Sequence, residues 1–197
     1  MPHSDHHRST NPQGLWRQTT LLRNSRGQDE AISIGPDGMV WSFIAGSGPD
    51  SAGQRLENLG LQADFVTVGR HSDDTLVVMA AQGLTLQYRS EIASTGSSYL
   101  HQRWTPARAV PLPEIAGAVG VRRLYTQTDF SGLRIALIVD TDTPEHGPSY
   151  VMACSQWTDQ GPGPFILVPP LGAPKPAASP AAAATGTGFL GFSLGSR

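Results

Sequence analysis

One arginine and five aromatic residues have the strongest potential for ligand chemistry. Arg134 interrupts an apolar run, Leu133-Arg134-Ile135-Ala136-Leu137, and sets a fork of N–H donors inside a strand-like segment. Trp41, Tyr88 and Tyr125 lie on or beside inner strands, where they can form a stacking floor, and Trp104 and Trp157 open strand-like segments and can line a pocket. Each has a plainer use as well, the aromatics as core packing and Arg134 as an outward or salt-bridged side chain. These six are taken as the ligand-binding set. Nothing in the chain activates a nucleophile: there is no Gly-x-Ser-x-Gly elbow, and the single Cys154 lies in an apolar strand with no neighbouring His, as an inert thiol would. The loop Asp140-Thr141-Asp142-Thr143-Pro144-Glu145-His146 gathers ionisable groups, but its spacing is not that of an EF-hand. His3, His6 and His7 fall in a polar tail. No metal site and no cofactor are expected, and no catalytic residue can be assigned.

The elements that must position these side chains read as strands. Ala31-Ile32-Ser33-Ile34 and Met39–Ile44 flank Gly35-Pro36-Asp37-Gly38, the pattern of a hairpin. Phe65–Val68, Leu76–Ala81 and Leu84–Tyr88 follow, separated by His71–Asp74 and Gln82-Gly83. A third set comprises Ala118–Val121, Leu133–Val139 and Ser149–Cys154. No segment sustains a period of 3.6, so little helix is expected. The boundaries are residues 1–13 as a polar tail, 14–171 as the β domain, and 172–197 as a Pro/Ala/Gly-rich tail whose Phe189–Leu194 end has an alternating pattern.

Trp16, Trp104 and Trp157 each lead a strand-like segment read as an outer strand. Trp104 and Trp157 stand 53 residues apart, and Trp16 and Trp104 stand 88 apart, close to two units of 44. The missing member would be Gln54-Arg55-Leu56-Glu57-Asn58-Leu59, which lacks the tryptophan. A period of this size with four strands per unit predicts β-propeller blades, with a β-sandwich as the alternative. The units fall at 28–62, 63–113 and 117–171, about three blades, with residues 15–22 left over as an extra outer strand. Closed rings usually need at least four blades. Two copies would close a six-bladed ring, which predicts a homo-oligomer, specifically a homodimer.

Composition limits the partners. With 14 basic and 16 acidic residues the net charge is −2, which excludes a strong phosphate-seeking field, so no nucleic-acid partner is expected. No run of about 20 strongly apolar residues predicts a membrane span. The hydrophilic start lacks the apolar core of a signal peptide, and a cytoplasmic location is expected.

The hairpin Ala31–Phe43, the string Thr128-Asp129-Phe130-Ser131-Gly132-Leu133-Arg134-Ile135 and the Trp-led strands resemble the repeats of the fungal fucose-specific lectin propellers and the related tectonin-like repeats, over roughly residues 15–171. In that family a sugar lies between blades, held by an Arg of the second strand, an acid of the third and aromatics beneath. Arg134 matches the Arg position, with Met152 at the acid position. The corresponding pairs in the other units are Val77 with Gln87 and Ala31 with Ser42. The resemblance implies non-covalent binding of a glycan or small molecule between blades, and these substitutions imply more apolar pockets than a monosaccharide prefers. Similar lectin-like propellers among fungal natural-product enzymes steer pericyclic ring closures without a cofactor, so a cyclase or pericyclase of Diels–Alderase type in secondary-metabolite biosynthesis is a second implication. A non-catalytic interaction scaffold is a third.

Overall fold

The computed structural model describes residues 15–45, 55–92 and 103–168. Among them there is no helix, and the chain is all-β. The tail histidines His3, His6 and His7 and the segment Phe189–Leu194 lie outside the described residues.

The strands form three antiparallel sheets of consecutive strands. The first holds β1 (Arg17–Arg23), β2 (Asp29–Ile34), β3 (Met39–Ile44) and β4 (Arg55–Gln62) in chain order. The second holds β5 (Phe65–Arg70), β6 (Leu76–Gln82), β7 (Thr85–Ser90) and β8 (Arg108–Val110). The third holds β9 (Ala118–Asp129), β10 (Gly132–Thr143) and β11 (Gly147–Thr158), with β12 (Gly161–Pro162) and β13 (Ile166–Val168) both paired to β11. The segment expected to stand apart as an outer strand is β1, hydrogen-bonded to β2 and therefore the first strand of the first sheet. The Trp spacing does not mark equivalent positions either: Trp16 precedes β1, Trp104 precedes β8, and Trp157 lies within β11. A bulky indole was used in three different ways, so its spacing carried no phase.

The units share a different signal. The turn from first to second strand in each sheet is closed by an Asx side chain. Asn24 Oδ1 accepts from the Arg26 and Gln28 amides at 3.0 Å. Asp73 Oδ1 accepts from the Thr75 amide at 3.0 Å and its hydroxyl at 2.6 Å. Asp129 Oδ1 accepts from the Ser131 amide at 2.8 Å and its hydroxyl at 2.5 Å. Such side chains replace a backbone acceptor and so favour a tight reversal. The hairpin at 35–38 forms as its sequence predicts, with Asp37 accepting from the Met39 amide at 3.0 Å and Gly38 at φ +77°.

The sheets stack face to face, with the second in the middle. Side chains alternate across a strand, so one strand can serve two cores. Along β6, Leu76, Val78 and Ala80 pack on Ile32, Ile34 and Val40 of the first sheet, while Val77, Met79 and Ala81 pack on Leu133, Ile135 and Leu137 of the third. Both faces of β6 are buried, which is why its sequence is a continuous apolar run rather than an alternating one. The first strands of successive sheets adjoin. Gln18 spans the first gap, its Nε2 donating to the Asp64 carbonyl at 3.1 Å and its Oε1 accepting from the Val66 amide at 2.9 Å. Thr67 and Thr126 hydroxyls meet at 2.9 Å across the second. Gln18 sits in a β-bulge with φ +51°, a sparsely populated conformation that these two cross-sheet bonds help hold.

Candidate functional site

The two gaps between sheets are filled in opposite ways at the end where the Asx turns lie. Between the first and second sheets, the space is plugged by charge. Arg103 reaches in beside Trp104, its guanidinium 4.9 Å from the indole centroid. Its Nη1 donates to Glu30 Oε1 at 2.7 Å, its Nη2 also pairs with Glu30, and Nε and Nη2 donate to Glu91 Oε1 at 3.1 and 3.0 Å. Ser42 donates to Glu30 at 2.5 Å, and the Leu76 amide donates to Glu91 Oε2 at 3.1 Å. All three charged side chains are buried. Burial alone works against the Arg103 charge, but Glu30 and Glu91 more than offset it and hold the guanidinium charged. With every oxygen on this face engaged, the plug has the geometry of a structural network rather than a binding site.

Between the second and third sheets the equivalent space is open. It is a cleft of about 560 Å³, walled by the β5–β6 turn and β7 on one side and by the β9–β10 and β11–β12 turns on the other. Trp157 lines it from β11, half-buried, with the His71 ring at 4.9 Å and 73° and the Tyr88 ring at 4.9 Å and 81°. Both contacts are edge-to-face, the favoured geometry of aromatic pairs. Burial holds His71 below its ordinary titration range, with Asp73 opposing the shift, so the imidazole is neutral near pH 7 and offers one donor and one acceptor. Hydrogen bonds from Thr75 hold the Asp73 carboxyl below the usual carboxylate range. Asp73, Asp159, Arg108 and Gln160 complete a rim that is mostly polar. Gln156 Nε2 donates to the Ser131 carbonyl at 2.9 Å and ties β11 to the β9–β10 turn. Gly161 closes the far end at φ +119°, where a Cβ would stand 2.7 Å from the Tyr88 hydroxyl.

The six candidate residues are thus not gathered in one place. Tyr88 and Trp157 meet in the cleft. Trp104 is 1% exposed and belongs to the core between the first and second sheets. Trp41 lies on the outer face of the first sheet, in an apolar hollow with Trp16, Phe43 and Leu56, its Nε1 donating to Asp37 at 3.2 Å. Tyr125 and Arg134 lie on the outer face of the third sheet, where Arg134 pairs with Asp129 at 3.4 Å and donates to the Ser131 hydroxyl at 2.8 Å. At the Asx-turn end one inter-sheet gap is filled by an ion network, and the other is lined mostly by polar groups because its walls there are turns, not strand centres. Sequence reasoning missed His71, Asp73 and Asp159, which come from two turns remote in the chain. The recurring Asx turn would have located two of them.

Cys154 is buried, and burial pushes its thiol up, with Arg134 opposing. Asp140 pairs with Arg122 at 2.7 Å. Among the described residues no group of three or more His, Cys, Asp or Glu is placed to hold a metal ion, and no helix is long and apolar enough to cross a membrane.

Fold and site define a class, an all-β protein of stacked antiparallel sheets with an open cleft of about 560 Å³ between the second and third sheets. No family model and no curated protein matches the chain. Among solved structures, an exo-beta-1,3-galactanase from Clostridium thermocellum is similar at a TM-score of 0.43 and 10% identity, over 77% of this chain and 34% of that one. The chain spans about a third of that enzyme's length, and a likeness at this level carries no argument about activity.

Proposed function

We propose that the protein binds a carbohydrate non-covalently in the cleft between its second and third sheets. The observation that carries this reading is the half-buried Trp157, braced edge-on by His71 and Tyr88 at the floor of a polar-rimmed cleft. A pyranose has apolar C–H faces and hydroxyls that both donate and accept. An indole platform suits the first, and a neutral imidazole, a carboxylate and an amide suit the second. An apolar ligand, or the folding of a polyene for ring closure, asks instead for a closed apolar chamber, and this cleft is open and polar. The stack, with its adjoining first strands, supports reading the chain as an arc of a β-propeller, and the cleft as a site between blades.

The test is a glycan array followed by titration calorimetry on the hits. Trp157→Ala is expected to weaken binding at least about tenfold, the worth of roughly 1.4 kcal/mol of lost stacking and burial, and Asp73→Asn to weaken it while leaving the fold intact. Arg134→Ala, remote from the cleft, should leave binding unchanged. Absence of any glycan hit for the wild-type protein, or loss on Arg134→Ala but not on Trp157→Ala, would defeat the reading.

A further inference from the structure

The stack has a direction, and it ends in two unlike faces. Along the second strand of each sheet, one set of residues faces the next sheet and the alternate set faces the preceding one. Ile32 and Ile34 face forward from the first sheet, Val77 and Met79 from the second. By the same alternation Ala136 and Ile138 face forward from the third, Ala136 buried and Ile138 half-buried among neighbours of their own sheet, with no further sheet of the described residues packed on them. Val78 faces back from the second sheet and Leu133 from the third, and Ala31 faces back from the first, half-buried, with no further sheet of the described residues packed on it.

Each end face carries one apolar row, beside polar residues such as Arg134, Gln156 and Asp140 on the third sheet. On the first sheet Leu21, Ala31, Phe43 and Leu56 are cross-strand neighbours in one row, with Leu21 80% and Leu56 55% exposed. On the third sheet Tyr125, Ala136, Cys154 and Ile166 form the matching row, with Tyr125 51% exposed. Apolar rows of this length on a sheet face mark a surface that is covered in use. The two faces are the forward and backward halves of a contact the chain makes twice internally. We propose that a second copy of this chain covers them, the back face of one first sheet packing on the forward face of the other's third sheet, so that two chains close a ring of six sheets. The contact is head-to-tail and is made twice, once at each junction. It sets Arg134 and Tyr125 of one copy at a junction with the hollow around Trp41 of the other, so three of the six sequence-picked residues gain a role at the junction. The inference stands apart from what the inner cleft binds.

Light scattering on the full chain tests it. The wild-type protein should have twice the 20.9 kDa chain mass. Phe43→Glu on one face and Tyr125→Glu on the other should each weaken dimerisation about 30-fold or more, as loss of a central interface anchor does, and each alone should run as a monomer. Mixed, the two variants should recover a dimer, because one of its two junctions then joins two intact faces. If either variant fails to show strand-rich circular dichroism, Leu21→Glu and Tyr150→Glu replace them on the same faces. A wild-type monomer at the highest soluble concentration would overturn the proposal. A dimer broken by the first-sheet variant but untouched by the third-sheet one would overturn it in favour of a symmetric face-to-face contact. A monomer that dimerises only when residues 172–197 are deleted would overturn it in favour of the chain's own C-terminal segment as the cover.

Discussion

Replacing Arg103 by Met isolates the value of the ion network between the first and second sheets. Arg103 is 3% exposed, Glu30 2% and Glu91 4%, so nothing in this network is screened by water. Methionine fills most of the stem volume but donates no hydrogen bond. It leaves two carboxylates facing one another with only the Ser42 hydroxyl and the Leu76 amide as partners. Breaking a buried pair by removing one partner costs about 3–5 kcal/mol, and here one cation serves two anions, which points to the upper half of that range. At about 2–4 °C per kcal/mol for a chain of this size, the melting temperature should fall by roughly 10 °C or more. The assay is thermal and urea unfolding followed by circular dichroism. The triple variant Arg103→Met, Glu30→Gln, Glu91→Gln should recover most of the loss, because neutral amides in place of the carboxylates remove the uncompensated charge. A single variant within about 1 kcal/mol of wild type, a difference typical of exposed pairs, would refute the placement of Arg103 between the sheets. A triple variant no better than the single one would refute the electrostatic account of it.

Other outcomes follow from the stack and the cleft. Val77→Ala and Val78→Ala should each cost about 2 kcal/mol and should add when combined, since each contacts a different sheet; a two-sheet arrangement would spare one of them, and denaturant midpoints separate the cases. Gly161→Ala should destabilise by about 1–3 kcal/mol through its left-handed φ and the close Tyr88 hydroxyl, read from the melting temperature. His71 has a folded-state pKa depressed by burial, so the unfolded chain binds its proton more readily, and stability present above the unfolded value near 6.5 is lost as pH falls below it; His71→Gln should flatten the melting temperature between pH 7 and 5.

Much of the architecture was legible because it is local. The hairpin at 31–44 announces itself through Pro36-Asp37-Gly38 between β-rich runs, and β6 through Leu76–Ala81, where a continuous apolar stretch signals burial on both faces. The phase of the units was less legible. Tryptophan is chosen for bulk, and Trp104 serves as core, Trp157 as cleft floor and Trp16 as edge packing on Trp41. Asn24, Asp73 and Asp129 carry the phase because a turn at that point needs an acceptor of that length. The site was half legible. Tyr88 and Trp157 stood out as aromatics, but which aromatics share a gap depends on which sheets stack, and no single-strand pattern encodes that. Arg134 was singled out by an apolar neighbourhood that turns out to be alternation: Leu133 and Ile135 face the core, and Arg134 faces away.

The double burial of β6 has a consequence for how this protein fails. Within one chain the three sheets behave as a short run of nearest neighbours, in which an end sheet is held from one side by its own chain and the middle sheet from two. Opening events therefore begin at the ends, and amide exchange should be fastest in β1 and β13 and slowest in β6. Detachment of either end sheet uncovers half of Leu-Val-Val-Met-Ala-Ala, an apolar, β-prone and uncharged segment of the kind that seeds aggregation. The lifetime of the protein in solution then depends on how seldom its end sheets open more than on its total stability.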